Sequence, residues 1–78
     1  MFDMENLNLG LEKRLGRKIA YLRKDKDYSQ MKFAEIVDMN FNYIGQIERG
    51  EANVTIKTLI NIANALEVKV EDLFDFSF

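Results

Sequence analysis

The chain has 78 residues, 31% of them charged and 47% hydrophobic, with a formal net charge of −2 at neutral pH. That is the composition of one small globular domain with no room for a second, and of a core so thin that every apolar position counts. Cysteine, histidine and proline are all absent, which excludes a disulfide scaffold and a thiolate metal site and removes the residue most used for acid–base work near neutrality. No cofactor or metal is expected. Nor is an enzyme, because neither a nucleophile–base constellation nor a phosphate-binding glycine loop is present.

The opening stretch MFDMENLNLGLEKR carries Asp3 and Glu5 where a secretory leader would carry lysine or arginine. No apolar run approaches the ~18 residues of a membrane helix. The expectation is a soluble, cytoplasmic protein with no membrane partner. Residues 1–10 are read as an N-terminal extension, either disordered or continuing the first helix, and residues 11–78 as the folded domain.

Leu11, Leu15, Ile19 and Leu22 recur at helical spacing and define a first amphipathic helix, which the Lys-Asp-Lys-Asp run at 24–27 ends. Ser29 is an N-cap for a short second helix whose apolar face is Phe33, Ala34, Ile36 and Val37. Tyr28 and Phe33 stand at the positions of a hydrophobic staple. Asp38 and Met39 make a tight connection. Asn40 then caps a third helix running from about Phe41 to Arg49 and stopping at Gly50, the residue best suited to a left-handed position after a helix. Residues 51–55 are a polar loop. Thr55 caps a fourth helix with Ile56, Leu59, Ile60, Ala63 and Leu66 on its inner side. A fifth, roughly 70–75, carries Val70, Leu73 and Phe74. No useful run alternates with period two, so the fold class is all-α with five helices.

The net charge conceals an asymmetry. Between Lys13 and Lys32 stand eight basic residues against Asp25 and Asp27, whereas Gly50–Phe78 has two basic residues and five acidic ones. One end of the domain is suited to phosphate and the other is not; a solvated basic helix face accounts for the same numbers.

Two short capped helices joined by a connection of about three residues, the second ending in glycine, make a helix-turn-helix arrangement. The residues Tyr28-Ser29-Gln30, Phe33-Ala34, Tyr43-Ile44 and, above all, Ile47-Glu48-Arg49-Gly50 resemble the Xre/Cro/repressor-type helix-turn-helix family, which includes phage repressors and restriction–modification controller proteins. The resemblance covers about residues 13–74 and takes in Ala63-Asn64-Ala65-Leu66-Glu67-Val68 and Glu71-Asp72-Leu73-Phe74, similar to the family's last two helices. It implies a compact five-helix, lambda-repressor-like domain with the helix-turn-helix at helices two and three. It also implies a sequence-specific transcriptional regulator of double-stranded DNA, with helix three in the major groove.

With Ile44 and Ile47 turned inward, helix three presents Phe41, Asn42, Gly45, Gln46 and Arg49 on its opposite face. Asn42 and Gln46 carry amides suited to adenine, or are ordinary exposed polar residues. Gly45 costs about 1 kcal/mol relative to alanine inside a helix and so asks for a reason: close approach to DNA, or tight packing on helix two. Phe41 departs from the polar residue usual there and either contacts a thymine methyl or folds back onto Met39. These four, Phe41, Asn42, Gly45 and Gln46, are the base-contacting candidates.

Gln30 matches the family glutamine that holds a backbone phosphate at the start of helix two, where the helix N-terminus favours an anion. Lys32 opposes the helix dipole there, which phosphate nearby would explain, as would drift. Asn40, Tyr43, Arg49, Asn53, Thr55 and Lys57 complete the phosphate candidates. Arg23 and Glu48 match a family pair that ties helix one to helix three by a salt bridge, with Arg23 also a candidate for sharing with phosphate.

The resemblance further implies a homodimer on a pseudo-palindromic operator. Leu73, Phe74, Phe76 and Phe78 are the expected interface, with capping of the monomer's own core as the other reading. The alternative function is a protein-interaction module or antitoxin-type protein on the same fold, favoured by the acidic total and by Phe41, for which a toxin or RNA polymerase would be the partner. Asp38 and Glu67 replace glycines usual in the family's turns and Val54 replaces a proline, departures expected to alter loop detail alone.

Overall fold

The computed structural model describes residues 8–78. Among them the chain forms four α-helices and no strand: α1 Leu11–Asp25, α2 Gln30–Val37, α3 Phe41–Glu48 and α4 Ile56–Leu66, followed by a 3₁₀ helix at Val70–Phe74. The segment expected as a fifth helix is therefore a single tight 3₁₀ stretch, and the α-helices number four. Of the N-terminal extension, residues 1–7 lie outside the described residues. Asn8–Gly10 form a turn, and Gly10, at φ 80°, starts α1 at Leu11.

The caps follow the local chemistry. Ser29 accepts from the Lys32 N–H at 3.0 Å, Asn40 from the Asn42 N–H at 2.7 Å and Thr55 from the Thr58 N–H at 3.1 Å, each satisfying a helix-start donor that has no partner inside its helix. The Tyr28 and Phe33 rings stack 6.3 Å apart across the start of α2.

All four α-helices end alike. Asp27, Asp38, Gly50 and Glu67 take left-handed conformations at φ 61°, 55°, 74° and 60°. At each end two backbone N–H groups reach back to the last turn, as when Gly50 donates to Ile47 at 3.0 Å and Glu51 to Gln46 at 2.8 Å. These are Schellman closures, which satisfy the otherwise orphaned carbonyls. The departures at Asp38 and Glu67 thus keep the glycine-type geometry and change only its cost. Gly50 has a further reason to be glycine: a Cβ there would stand 2.6–2.8 Å from Lys13 on α1.

The core is formed by Leu15 and Ile19 of α1, Phe33, Ala34 and Val37 of α2, Ile44 and Ile47 of α3, and Leu59, Ile62, Ala63 and Leu66 of α4, closed by Leu73. Three expected inward positions are corrected. Ile36, Ile56 and Ile60 are exposed, and Ile62 is fully buried in their stead. Two overlapping apolar stripes run along IKTLINIANAL, and the polar residue between them decides: Asn61 Nδ2 donates to the Val37 carbonyl at 2.9 Å, capping the end of α2 and rolling α4 onto its Leu59–Ile62–Ala63–Leu66 side. In the 3₁₀ helix residues three apart eclipse, so Val70 and Leu73 share the inner side and Phe74 is left partly outside.

The last residues fold back along α1. Arg14 lies over the Phe76 ring at 5.2 Å, and Lys18 over Phe78 at 5.0 Å and Tyr21 at 5.8 Å, with the Tyr21 and Phe78 rings 4.8 Å apart. Such cation–ring contacts favour this seating. Asp75 accepts from the Ser77 hydroxyl at 2.6 Å and the Ser77 N–H at 3.1 Å. These bonds, with Lys18 nearby, hold its carboxyl below the usual carboxylate range.

A left-handed non-glycine residue costs about 1–2 kcal/mol, of which glycine's greater freedom when unfolded returns part. The Lys26–Glu67 pair at 3.4 Å is too exposed to offset this. Glu67→Gly should therefore stabilise the domain by about 0.5–1 kcal/mol, raising the melting temperature by several degrees. An unchanged or lower midpoint in a thermal melt would contradict this account of the junction.

Candidate nucleic-acid interface

Helix α3 is held from two sides. Ile44 and Ile47 turn into the core, while Gly16, in the middle of α1, lets the two helices nearly touch. A Cβ at Gly16 would collide with the Ile47 carbonyl oxygen and stand 2.6 Å from that of Glu48. Gly16 was not among the sequence candidates. Its signal was present, since a glycine inside a helix needs a reason wherever it falls.

Polar bonds lock the same contact. Arg23 Nε donates to Glu48 Oε2 at 2.7 Å and Nη2 to Oε1 at 3.0 Å, while Nη1 donates to the Tyr28 carbonyl at 2.7 Å. Gln30 Nε2 adds a bond to Glu48 Oε1 at 2.9 Å. The Arg23 and Glu48 side chains are only 8% and 6% exposed, so α1, the loop after it and the start of α2 are all joined to the end of α3. With its guanidinium buried and shared in this way, Arg23 braces α3, and only the second hydrogens of Nη1 and Nη2 are left for sharing with a phosphate. Gln30 keeps its second amide hydrogen for a partner outside the network.

The outer face of α3 is concave. Phe41, Asn42, Gly45, Gln46 and Arg49 line a shallow hollow with Gln30. All four base-contacting candidates therefore share one surface with two of the phosphate candidates. Phe41 is 44% exposed on that surface. Nothing of α2 comes within 3.9 Å of a Cβ built on Gly45; its nearest neighbour is the Arg49 guanidinium, so tight packing on α2 is not the reason for this glycine.

The remaining phosphate candidates do not line the hollow, and Asn53 lines a separate groove. Asn40 caps α3 through its oxygen, leaving its amide nitrogen as a donor. The Tyr43 hydroxyl lies 3.5 Å from the Asn53 carbonyl, linking the helix to the following loop. Thr55 is spent partly on its own cap and on the Thr58 hydroxyl at 3.0 Å. Lys57 is exposed at the start of α4, and Lys32 is exposed on α2, 3.9 Å from Glu35. Of the eight basic residues between Lys13 and Lys32, Lys18 and Arg23 are buried, so the basic face is smaller than the count suggests.

The expected dimer residues separate. Leu73 is fully buried in the core of its own chain and is removed from that set. Phe76 and Phe78 lie on α1 as described. Phe74, 38% exposed, joins a different groove lined by Leu11, Leu15, Val54, Ile56 and Leu59. No helix among the described residues is long and apolar enough to cross a membrane.

Known proteins share this fold. The family model described as helix-turn-helix matches residues 19–73. The control protein C.BamHI of Bacillus amyloliquefaciens is 40% identical over 63 residues, covering 80% of this chain and 78% of that protein. The restriction-modification controller protein C.AhdI from Aeromonas hydrophila superposes with a TM-score of 0.81 at 29% identity, over 83% of this chain and 98% of that one. The biofilm master regulator SinR, in its complex with DNA, gives 0.74 at 34% identity over 78% and 98%.

Removing one partner of a buried ion pair strands the other, at a cost of about 3–5 kcal/mol, whereas removing both costs less. Arg23→Met should therefore lower the melting temperature more than Arg23→Met/Glu48→Leu does. A double variant no more stable than the single would show that the pair is not what fastens α3.

Proposed function

The chain belongs to the helix-turn-helix family, and from that premise we propose that it is a sequence-specific transcriptional regulator that binds double-stranded DNA as a homodimer, with α3 in the major groove. The observation that carries the reading is the hollow on the outer face of α3. It gathers two amides, a guanidinium and an aromatic ring on a helix that the Arg23–Glu48–Gln30 network holds still. A major groove admits one such helix. A rigid α3 loses little freedom on binding, so its contacts go into discrimination rather than into ordering the helix.

In this reading Asn42 and Gln46 make paired hydrogen bonds to adenine edges and Phe41 meets a thymine methyl. Gln30, Lys32, Asn40, Tyr43, Asn53, Thr55 and Lys57 hold the phosphates on either side and set the register without reading sequence. A single domain making this few contacts binds weakly, and a second copy doubles them. The groove that Phe74 shares with Ile56 is the surface we assign to pairing, with exposed Ile60 next to it on α4. Its exposed apolar side chains are what association would cover. Two copies would place their α3 helices about 34 Å apart on a pseudo-palindrome. The similarity to controller proteins supports this assignment over a protein-interaction module.

Binding-site selection from a random duplex library at fixed salt tests the proposal. Wild type should enrich a pseudo-palindrome, and Asn42→Ala/Gln46→Ala should lose or relax it while remaining folded. Affinity for the enriched site should fall by about 10²-fold between 50 and 200 mM salt, because Lys32 and Lys57 of the two copies neutralise about four phosphates. A folded dimer that enriches nothing, or binds with no salt dependence, would contradict the assignment.

A further inference from the structure

Arg49 does not extend off the end of α3. Its side chain turns back along the helix over Gly45, where a Cβ would stand 2.9 Å from Nη1, with Cζ and Nη2 next at 3.8 and 3.9 Å. The guanidinium rests against the side of Gly45 where other residues carry a methyl group. Nε donates to Glu51 Oε1 at 3.1 Å. Glu51 is itself placed by the helix end, because its backbone N–H donates to the Gln46 carbonyl at 2.8 Å through the left-handed Gly50.

These contacts use one edge of the guanidinium. Among the described residues no hydrogen bond takes Nη1 or Nη2, so the two amino groups form an open fork on the hollow that Asn42 and Gln46 also line. The arginine and glutamate side chains are 59% and 56% exposed, and so exposed a pair contributes little to stability. Its effect is on aim. A planar fork held by its Nε edge matches phosphate oxygens as well as the O6 and N7 acceptors of guanine, and its place on the same hollow as Asn42 and Gln46 is what directs it to a base edge.

We propose that Arg49 reads a guanine edge in the major groove, that Glu51 is the positioning residue that aims it, and that Gly45 is the seat that lets it lie in the hollow. This rests on the DNA-reading assignment above and adds to it a G·C contact beside the adenine-directed amides.

Site selection with wild type, Arg49→Lys, Glu51→Ala and Glu51→Gln tests the proposal, with thermal melts to establish folding. Wild type should enrich a guanine at one position of each half-site. Arg49→Lys and Glu51→Ala should lose about tenfold or more of the preference at that position and leave the others intact. Glu51→Gln removes the charge but keeps an acceptor for Nε, and should retain the preference. Uniform weakening on all sequences by Arg49→Lys would make Arg49 a phosphate contact and overturn the proposal. Identical profiles for Glu51→Ala and Glu51→Gln would overturn it too, because charge alone would then account for Glu51. If wild type itself enriches nothing, the DNA-reading assignment fails first, which the wild-type arm reports separately.

Discussion

The buried carboxylate of Glu48 sits at the end of α3, and the Arg23 guanidinium approaches it in a fork while the Gln30 amide adds a third donor. Charges this deep are tolerated only when every polar atom around them is paired, and among the described residues no buried side-chain nitrogen or oxygen lacks a partner. The network therefore does more than join two residues. Through the Tyr28 carbonyl and Gln30 it ties the end of α1, the turn after it and the first residue of α2 to the last turn of α3. The angle of α3, and with it the direction of every outward side chain, depends on this joint.

Two glycines complete the arrangement on opposite sides of α3. Gly16 permits contact between the α1 and α3 backbones, and Gly50 lets the chain leave α3 against Lys13. An added methyl group at either would push the helix outward, since packed interiors do not yield easily to extra volume. Rigid placement matters for a groove-reading helix because an error of an ångström at the backbone is carried to every amide that must meet a base edge. The same rigidity is unnecessary in the middle of α4, where Ile60 is exposed.

Much of this was legible in the residues. The caps Ser29, Asn40 and Thr55, the glycine at the end of α3 and the inward pair Ile44 and Ile47 all follow from local rules, and local rules act at these positions without competition. The hollow of Phe41, Asn42, Gly45 and Gln46 follows from helical spacing once Ile44 and Ile47 are known to face inward. What was not legible depended on contacts distant in sequence. The roll of α4 is decided by Asn61 reaching the carbonyl of Val37, so Ile62 replaces Ile56 and Ile60 in the core. Leu73 leaves two readings open, a pairing surface or the chain's own core, and the 3₁₀ geometry turns it inward. Gly16 stands out as a glycine inside a helix, but what it makes room for emerges only when α3 is laid against it.

If the surface centred on α3 is the working face of the domain, a short duplex should disturb it first. Backbone amide chemical shifts followed by NMR during titration with such a duplex should move at Gln30, at Asn40–Glu51 and at Asn53–Lys57, with little change in the middle of α4. Perturbations centred instead on Ile60, Phe74 and their neighbours, or none at low salt, would contradict that assignment.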